Sequence, residues 1–280
     1  MALLLWSLCE ADAADEKRIR PFAANSFYWE YQGQPILLLG GSREDNLFNH
    51  PDGLAEHLDT LQAAGGNYIR NTMSSRNPGN PWAFHRLENG LYDLDQWDAG
   101  YWERLDNLLR LCLERDIIVQ IEIWDPWDYF KSEAPLGYGP NNVGWESCPY
   151  NPRLNINYTP AESGLAEEIN YYSGNKPSNH SFFHTVPALK DLVRVRHYQE
   201  AFVSKLLSIS LDYPNALYCM NNEIGEPPEW GEYWASFIRA RANEAGRPVY
   251  LADMRRNPNF QSDEQVRLLQ DRDHYDFFEI

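Results

Sequence analysis

The segment 101–123, YWERLDNLLRLCLERDIIVQIEI, places one helix directly before one strand. Its apolar side chains first recur at helical spacing, at Tyr101, Leu105, Leu108, Leu109 and Cys112. A mostly apolar run then follows over 117–123, which is typical of a strand that is buried on both faces of a parallel sheet. The segment therefore predicts one helix–strand unit of an α/β fold.

The same alternation continues in both directions along the chain. After a hairpin at 26–34, strands are predicted at 35–41, 67–71, 117–123, 216–220, 248–252 and 275–280, with helical spacing between them. No composition break or linker interrupts the series, which indicates a single α/β domain with a parallel sheet. Two architectures fit this pattern, a doubly wound open sheet and a (β/α)8 barrel.

The glycine pattern favours the barrel. A nucleotide-binding doubly wound sheet carries GxGxxG or GxxxxGK[ST] after an early strand, and the sequence has neither. We therefore predict a (β/α)8 TIM barrel. A complete barrel needs eight strands and the chain stops within the sixth, so we expect the barrel to be C-terminally incomplete, with about six β/α units.

The ends and the middle of the chain differ from this core. An apolar run at 2–8, followed by the small-x-small pattern Ala11-Asp12-Ala13, predicts that 1–24 are a leader or a partial signal peptide. Residues 25–280 are then the barrel domain, with a long insertion without periodicity over about 124–187. We expect the protein to be secreted or periplasmic, although no basic residue precedes the apolar run.

Composition excludes some partners and favours others. The 280 residues include 24 Lys+Arg against 41 Asp+Glu, and a net charge of −17 disfavours nucleic acid and anionic membranes. The 12 Phe, 17 Tyr and 10 Trp lie largely in polar segments, which suits a carbohydrate partner. The cysteines lack metal-site spacing, and Ser181 stands where a zinc protease would have glutamate between His180 and His184. No metal and no cofactor are predicted.

Polar and aromatic side chains follow the predicted strands, where a barrel builds its active site. These candidate site residues are Arg43 after the first strand, Arg70 in the second, Trp124, Asp125 and Trp127 after the third, and Asn222 and Glu223 after the fourth. Arginine, amide, carboxylate and indole groups around one mouth suit a sugar. The tryptophans Trp124, Trp127 and Trp145 and neighbouring Tyr129 are either stacking platforms or a hydrophobic pin for the insertion.

The segment 218–225, YCMNNEIG, resembles the fourth strand of the clan A retaining glycoside hydrolases, a group of (β/α)8 enzymes with cellulase-like members. Arg70, within 63–70 (AAGGNYIR), resembles the second-strand arginine of bacterial members of that clan. The resemblance covers most of 25–280. It implies that Glu223 is the general acid/base, that Asn222 bonds the 2-hydroxyl of the substrate, and that Arg70 orients a carboxylate.

A retaining mechanism requires a second carboxyl group about 5 Å from the first. The clan places it on a seventh strand, which this sequence lacks. By position the nearest replacement is Glu279, while Glu122 lies inside the third strand. We predict a glycosidase of polysaccharide degradation that acts on O-glycosidic bonds and whose nucleophile is missing from this chain. The alternatives are a non-catalytic carbohydrate-binding barrel and a metal-dependent barrel hydrolase.

Overall fold

A computed structural model describes residues 17–130, 144–169 and 180–278. The predicted leader therefore lies largely outside the described residues, as does Glu279. The strands are β1 Arg20–Pro21, β2 Trp29–Tyr31, β3 Gln34–Ile36, β4 Tyr68–Thr72, β5 Phe84–Arg86, β6 Tyr92–Trp97, β7 Ile118–Trp124, β8 Ala216–Asn221 and β9 Leu251–Ala252. The helices are α1 Leu54–Ala63, α2 Ala99–Leu113, α3 Pro160–Ser163, α4 Val193–Ser210, α5 Pro228–Glu244 and α6 Asp263–Gln270. Short 3₁₀ helices span Leu47–Asn49, Pro126–Asp128 and Ser181–His184.

Four parallel strands form the centre of the molecule in the order β4-β7-β8-β9. Every residue of β7 and β8 is buried, as the unbroken apolar runs predict for strands covered on both faces. Helix α2 buries the predicted stripe, including Tyr101, Leu105 and Leu109, and Asp98 caps its first turn by accepting from the Tyr101 amide. The parallel sheet with helices between its strands confirms the α/β barrel class, and the described residues contribute four parallel strands where a closed barrel has eight.

The predicted first strand, 35–41, is wrong in its pairing. β3 ends at Ile36 and pairs antiparallel with β2, and Leu37 and Leu39 are exposed. The segment reaches the parallel sheet through an isolated bridge between Gly40 and Tyr68 and through the Asn67 amide, which donates to the Leu39 carbonyl at 2.7 Å. A side chain at Gly40 would collide with the Tyr68 carbonyl, so this close approach requires glycine.

The predicted fifth and sixth strands are also shorter than expected. The fifth is reduced to Leu251–Ala252. The described part of the sixth forms no strand. The Asp276 and Phe277 amides both donate to the Leu251 carbonyl, and the Asp276 carboxylate accepts from the Leu251 amide. An apolar segment forms a strand only where a neighbouring strand is available for backbone hydrogen bonds, and apolar content alone does not predict that neighbour.

The N-terminal three-stranded sheet covers the amino ends of the parallel strands. Ile19 and Tyr31 pack with Ile118 and Leu217, which lie at the starts of β7 and β8. The Ile19 amide also donates to the Pro214 carbonyl at 2.9 Å. This layer closes the amino-terminal face, so the carboxyl ends of the strands are the accessible face of the sheet.

The described parts of the long insertion pack as a buried aromatic cluster. Tyr129 stacks on Phe182 with ring centroids 4.0 Å apart, and Trp145 donates from Nε1 to the Ala166 carbonyl at 3.0 Å. The ring of Trp124, at the end of β7, meets Phe182 of this cluster edge-on. Of the residues that the structure describes, none belongs to a helix long and apolar enough to span a bilayer.

Candidate active site

Asn222 lies at the centre of the polar residues at the carboxyl ends of the parallel strands. It follows β8 directly and is 5% exposed. Its Oδ1 accepts a hydrogen bond from Nη2 of Arg70 at 3.1 Å, and its Nδ2 donates to Oδ1 of Asp125 at 3.3 Å. Residues of β4 and of the loop after β7 therefore orient this amide from both sides. One N–H and one lone pair of the amide remain for a ligand.

Arg70 is fixed by the neighbouring strand. It forms an ion pair through Nε with the fully buried Glu122 of β7, and its Nη2 also contacts the sulfur of Met254 at 3.2 Å. Gln120 supports the same carboxylate by donating to its Oε1 at 3.2 Å. A third of the Arg70 side chain stays exposed, so the guanidinium is oriented from inside the sheet and still reaches the mouth.

Asp125 links Asn222 to a second arginine. Arg76 donates from Nη1 to Asp125 Oδ2 at 2.6 Å and pairs through Nη2 with Asp45. Burial by itself lowers the pKa of Arg76, but the Asp125 and Asp45 carboxylates outweigh burial and raise it, so the guanidinium stays charged. For Asp125 burial is the larger effect and raises its pKa, against the opposing charge of Arg76.

Asp128 anchors the loop that carries Arg76. It is buried and accepts from the Ser74 hydroxyl at 2.7 Å and from the Ser75 amide at 3.0 Å. Burial, with the nearby charge of Asp125 as the second cause, raises the pKa of Asp128 to about 8. The carboxyl group accepts these hydrogen bonds and so holds the turn between Ser74 and Arg76.

Glu223 stands at a backbone reversal. β8 ends at Asn221, and Glu223 has a φ of +45°, in the left-handed region that residues other than glycine rarely adopt. The residues on either side, Asn222 and Ile224, are buried, whereas Glu223 is exposed. The reversal therefore presents this carboxylate at the mouth next to the buried Asn222. A left-handed glutamate costs about 1–3 kcal/mol, and strain of this kind clusters at functional sites.

The structure brings Arg70, Asn222 and Asp125 together but changes the expected role of some residues. Trp124 has no exposed surface because it packs against the rings of Trp230, Trp234 and Phe202, so the expectation that it contacts substrate is contradicted. The packing supports the hydrophobic-pin alternative for this residue.

Asp125 is likewise too buried to touch a ligand, with a side chain that is 0% exposed. It instead orients Asn222 and Arg76. Trp127 keeps partial exposure, with the Arg256 guanidinium 5.8 Å from its ring centroid, and Arg43 is exposed. Both side chains therefore remain accessible to solvent.

Two members of this network were not assigned a role from the sequence. Arg76 lies in a polar loop without periodicity, and no sequence signal indicates that its side chain bridges Asp45 and Asp125. Glu122 is a carboxylate within an apolar strand, and this pattern does predict a charged partner, because a buried charge must be paired. Over 17–130, 144–169 and 180–278, no group of three or more His, Cys, Asp or Glu side chains could hold a metal ion.

Comparison with solved structures identifies the class of fold as that of the family 5 glycoside hydrolases. A family 5 mannosidase from Rhizomucor miehei superposes with a TM-score of 0.59 at 13% identity, over 94% of this chain and 61% of that one. A mutant of that mannosidase in complex with mannosyl-fructose gives 0.56 at 12% identity, over 94% and 61%. A family 5 glycoside hydrolase from Bacteroides vulgatus gives 0.50 at 15% identity, over 95% and 44%.

At these identities the superpositions establish the fold alone, an α/β barrel shared with those enzymes. The chain spans less than two thirds of the length of each of these relatives. No protein-family model and no curated protein sequence matches it.

Proposed function

We propose that this chain carries the acid/base half of a retaining glycoside hydrolase site that cleaves O-glycosidic bonds of an oligo- or polysaccharide. The observation that carries the proposal is the reversal at Glu223, next to an Asn222 amide that Arg70 and Asp125 hold from opposite sides. Its position at the carboxyl end of a central barrel strand supports an active-site role.

In the proposed mechanism, Glu223 protonates the glycosidic oxygen while a nucleophilic carboxylate attacks the anomeric carbon, so that the leaving group departs as an alcohol and a glycosyl ester forms. The Glu223 carboxylate then takes a proton from water, whose oxygen attacks the anomeric carbon and displaces the carboxylate of that ester. Asn222 donates its remaining N–H to the sugar hydroxyl beside that carbon. Trp127 and Arg43 contact the substrate at the rim.

We assign the nucleophile to no described residue. The two carboxylates that border Arg70 and Asn222 are those of Glu122 and Asp125, and each is fully buried and engaged by an arginine. A group that attacks an anomeric carbon must reach the substrate, which neither side chain does in this arrangement.

The substrate class to test first is mannosides, because two of the similar structures are of a mannosidase. Export of the protein stays a proposal that rests on the apolar run and the small-x-small pattern within 2–13.

The test is the variant Glu223→Gln in a protein that also contains the nucleophilic carboxylate, compared with Glu229→Gln in the first turn of α5 as a control. Loss of the general acid should lower turnover of mannosides with poor leaving groups about 10²–10⁴-fold and spare activated aryl leaving groups in the first step. Added azide should restore turnover of the aryl glycoside, because an anionic nucleophile needs no general base. Unchanged turnover by Glu223→Gln would refute the assignment. Binding of oligosaccharides without turnover by the unsubstituted protein would favour the non-catalytic alternative.

A further inference from the structure

A cavity of about 390 Å³ lies between helices α5 and α6. Its walls include residues 225–228 after β8, Asp253 and Arg255 after β9, and Tyr275. This volume falls within the range of about 300–1,000 Å³ that small-ligand sites occupy. None of the residues assigned to catalysis lines the cavity, so a ligand held there does not require the cleavage site.

Two buried oxygen atoms of this cavity have no hydrogen-bond partner among the residues that the structure describes. They are the Tyr275 hydroxyl and Oδ2 of Asp253, in residues that are 5% and 2% exposed. Oδ1 of Asp253 accepts from Nδ2 of Asn221 at 2.6 Å. Its Oδ2 lies 3.6 Å from Nη1 of Arg255, which is longer than a hydrogen bond. Buried polar atoms of this kind cost free energy unless a ligand or water satisfies them.

A glycine of α5 keeps both oxygen atoms open. A side-chain carbon at Gly231 would lie 2.7 Å from the Tyr275 hydroxyl and 2.7 Å from Oδ2 of Asp253, so any larger residue there would cover them. Because both atoms approach this one point of the wall, they are close to each other. One small group with several N–H donors can therefore reach both.

The walls of the cavity carry an excess of negative charge. Six carboxylates line it, against the two guanidinium groups of Arg255 and Arg267. Nε of Arg255 pairs with Glu264 at 2.6 Å. Nη2 of Arg267 pairs with Glu232, also at 2.6 Å. Asp263, in the first turn of α6, forms no ion pair within the described parts of the chain. The uncompensated carboxylates attract a cation, and the net charge of −17 acts in the same direction.

From this arrangement we propose that the cavity binds a small aliphatic amine, whose primary ammonium group bridges the Tyr275 hydroxyl and Oδ2 of Asp253. An ammonium group has three donors and no acceptor, which matches two oxygen atoms surrounded by carboxylates. The carbon chain of the amine packs against Pro227, Pro228 and Leu268, which form the apolar part of the walls.

The test measures binding of putrescine, spermidine and the neutral analogue 1,4-butanediol to the full chain by titration calorimetry. Both amines should bind and the diol should not, because it lacks the ammonium group. Tyr275→Phe should raise the putrescine Kd about tenfold. The same variant should leave urea denaturation unchanged, since the hydroxyl bonds to no described residue. Asp253→Asn should raise the Kd further, because it also removes a charge.

The exposed Asp59 supplies the control, and Asp59→Asn should leave the putrescine Kd unchanged. If Asp253→Asn fails to fold, Tyr275→Phe decides alone, because it keeps the ring and removes only the hydroxyl. No saturable binding of either amine, equal binding of the diol, or a putrescine Kd that is indifferent to Tyr275→Phe would overturn the inference. An equal loss in Asp59→Asn would indicate general attraction to an acidic protein and would overturn it as well.

Discussion

The ion pair between Asp125 and Arg76 gives the sharpest test of the polar network. Its N–O distance is 2.6 Å and the Asp125 side chain is 0% exposed. Truncation by Asp125→Ala leaves a buried guanidinium with only Asp45, and it also removes acceptors for Asn222 and the Trp127 amide. Breaking a buried pair from one side costs about 3–5 kcal/mol. Because Asp45 still pairs with Arg76, we expect Asp125→Ala to lower the free energy of unfolding by about 3 kcal/mol.

The chain contains a matched control for this variant. Asp59 pairs with Arg115 at 2.7 Å, but its side chain is 61% exposed. Exposed pairs are worth about 0–1 kcal/mol, so Asp59→Ala should lower stability by no more than that. Both variants are compared by urea denaturation at the same pH and salt. Equal losses within about 0.5 kcal/mol would refute the view that the network at the strand ends is a buried, mutually dependent set.

Three further predictions follow from burial. Trp124→Ala should lower the free energy of unfolding by about 3–5 kcal/mol, whereas Trp127→Ala should lower it much less, because Trp127 is partly exposed. Similar losses for the two variants in urea denaturation would contradict the hydrophobic-pin role of Trp124. The pKa of Asp128 is raised to about 8, so the stability linked to its neutral form is complete below about pH 4 and lost as pH rises through 8. Chemical denaturation should show the free energy of unfolding falling from pH 5 to 9, and Asp128→Asn should flatten that dependence. Burial lowers the pKa of His180 to about 3, so the stability that the neutral imidazole contributes is complete above about pH 6.5 and lost as pH falls towards 3. An acid titration of unfolding would contradict this if His180→Phe were as sensitive to acid as the unsubstituted protein.

The central strands could be predicted from the sequence because they are buried on both faces. The runs at 117–123 and 216–220 differ by a residue or so from β7 and β8. Helix α2 was equally clear, since its apolar stripe faces the sheet over its whole length. The fold class follows from these elements, because only a sheet with helices between its parallel strands accommodates such a series.

The first strand shows where sequence reasoning fails. The run at 35–41 is as apolar as that of β7, yet Leu37 and Leu39 are exposed, because the segment leaves the β2–β3 hairpin at Ile36 and joins the parallel sheet through a single bridge at Gly40. Apolar composition reports the tendency to be covered, and the identity of the covering element depends on distant parts of the chain.

The candidate site divides in the same way. Arg70 and Asn222 could be placed from the sequence because parallel strands bring their carboxyl ends to one edge, and the structure joins them at 3.1 Å. The burial of Trp124 and Asp125 could not, because it depends on how α4, α5 and the insertion cover the end of β7. The bridge made by Arg76 depends on the length and direction of one flexible side chain, which no local pattern encodes.

The separation of β7 and β8 in the sequence has a consequence for how the protein folds. These strands are neighbours in the sheet, yet the whole insertion and α4 lie between Trp124 and Ala216. Closing so long a connection adds little to the equilibrium cost, since each doubling of loop length adds about 0.6 kcal/mol. The kinetic effect is larger, because a contact between distant segments must form before its stabilisation is gained. We therefore expect the pairing of β7 with β8 to be the slowest step of refolding, with the unpaired strands exposed to aggregation until it occurs. The packing of the aromatic cluster on Trp124 ties the end of β7 to α5, which flanks β8.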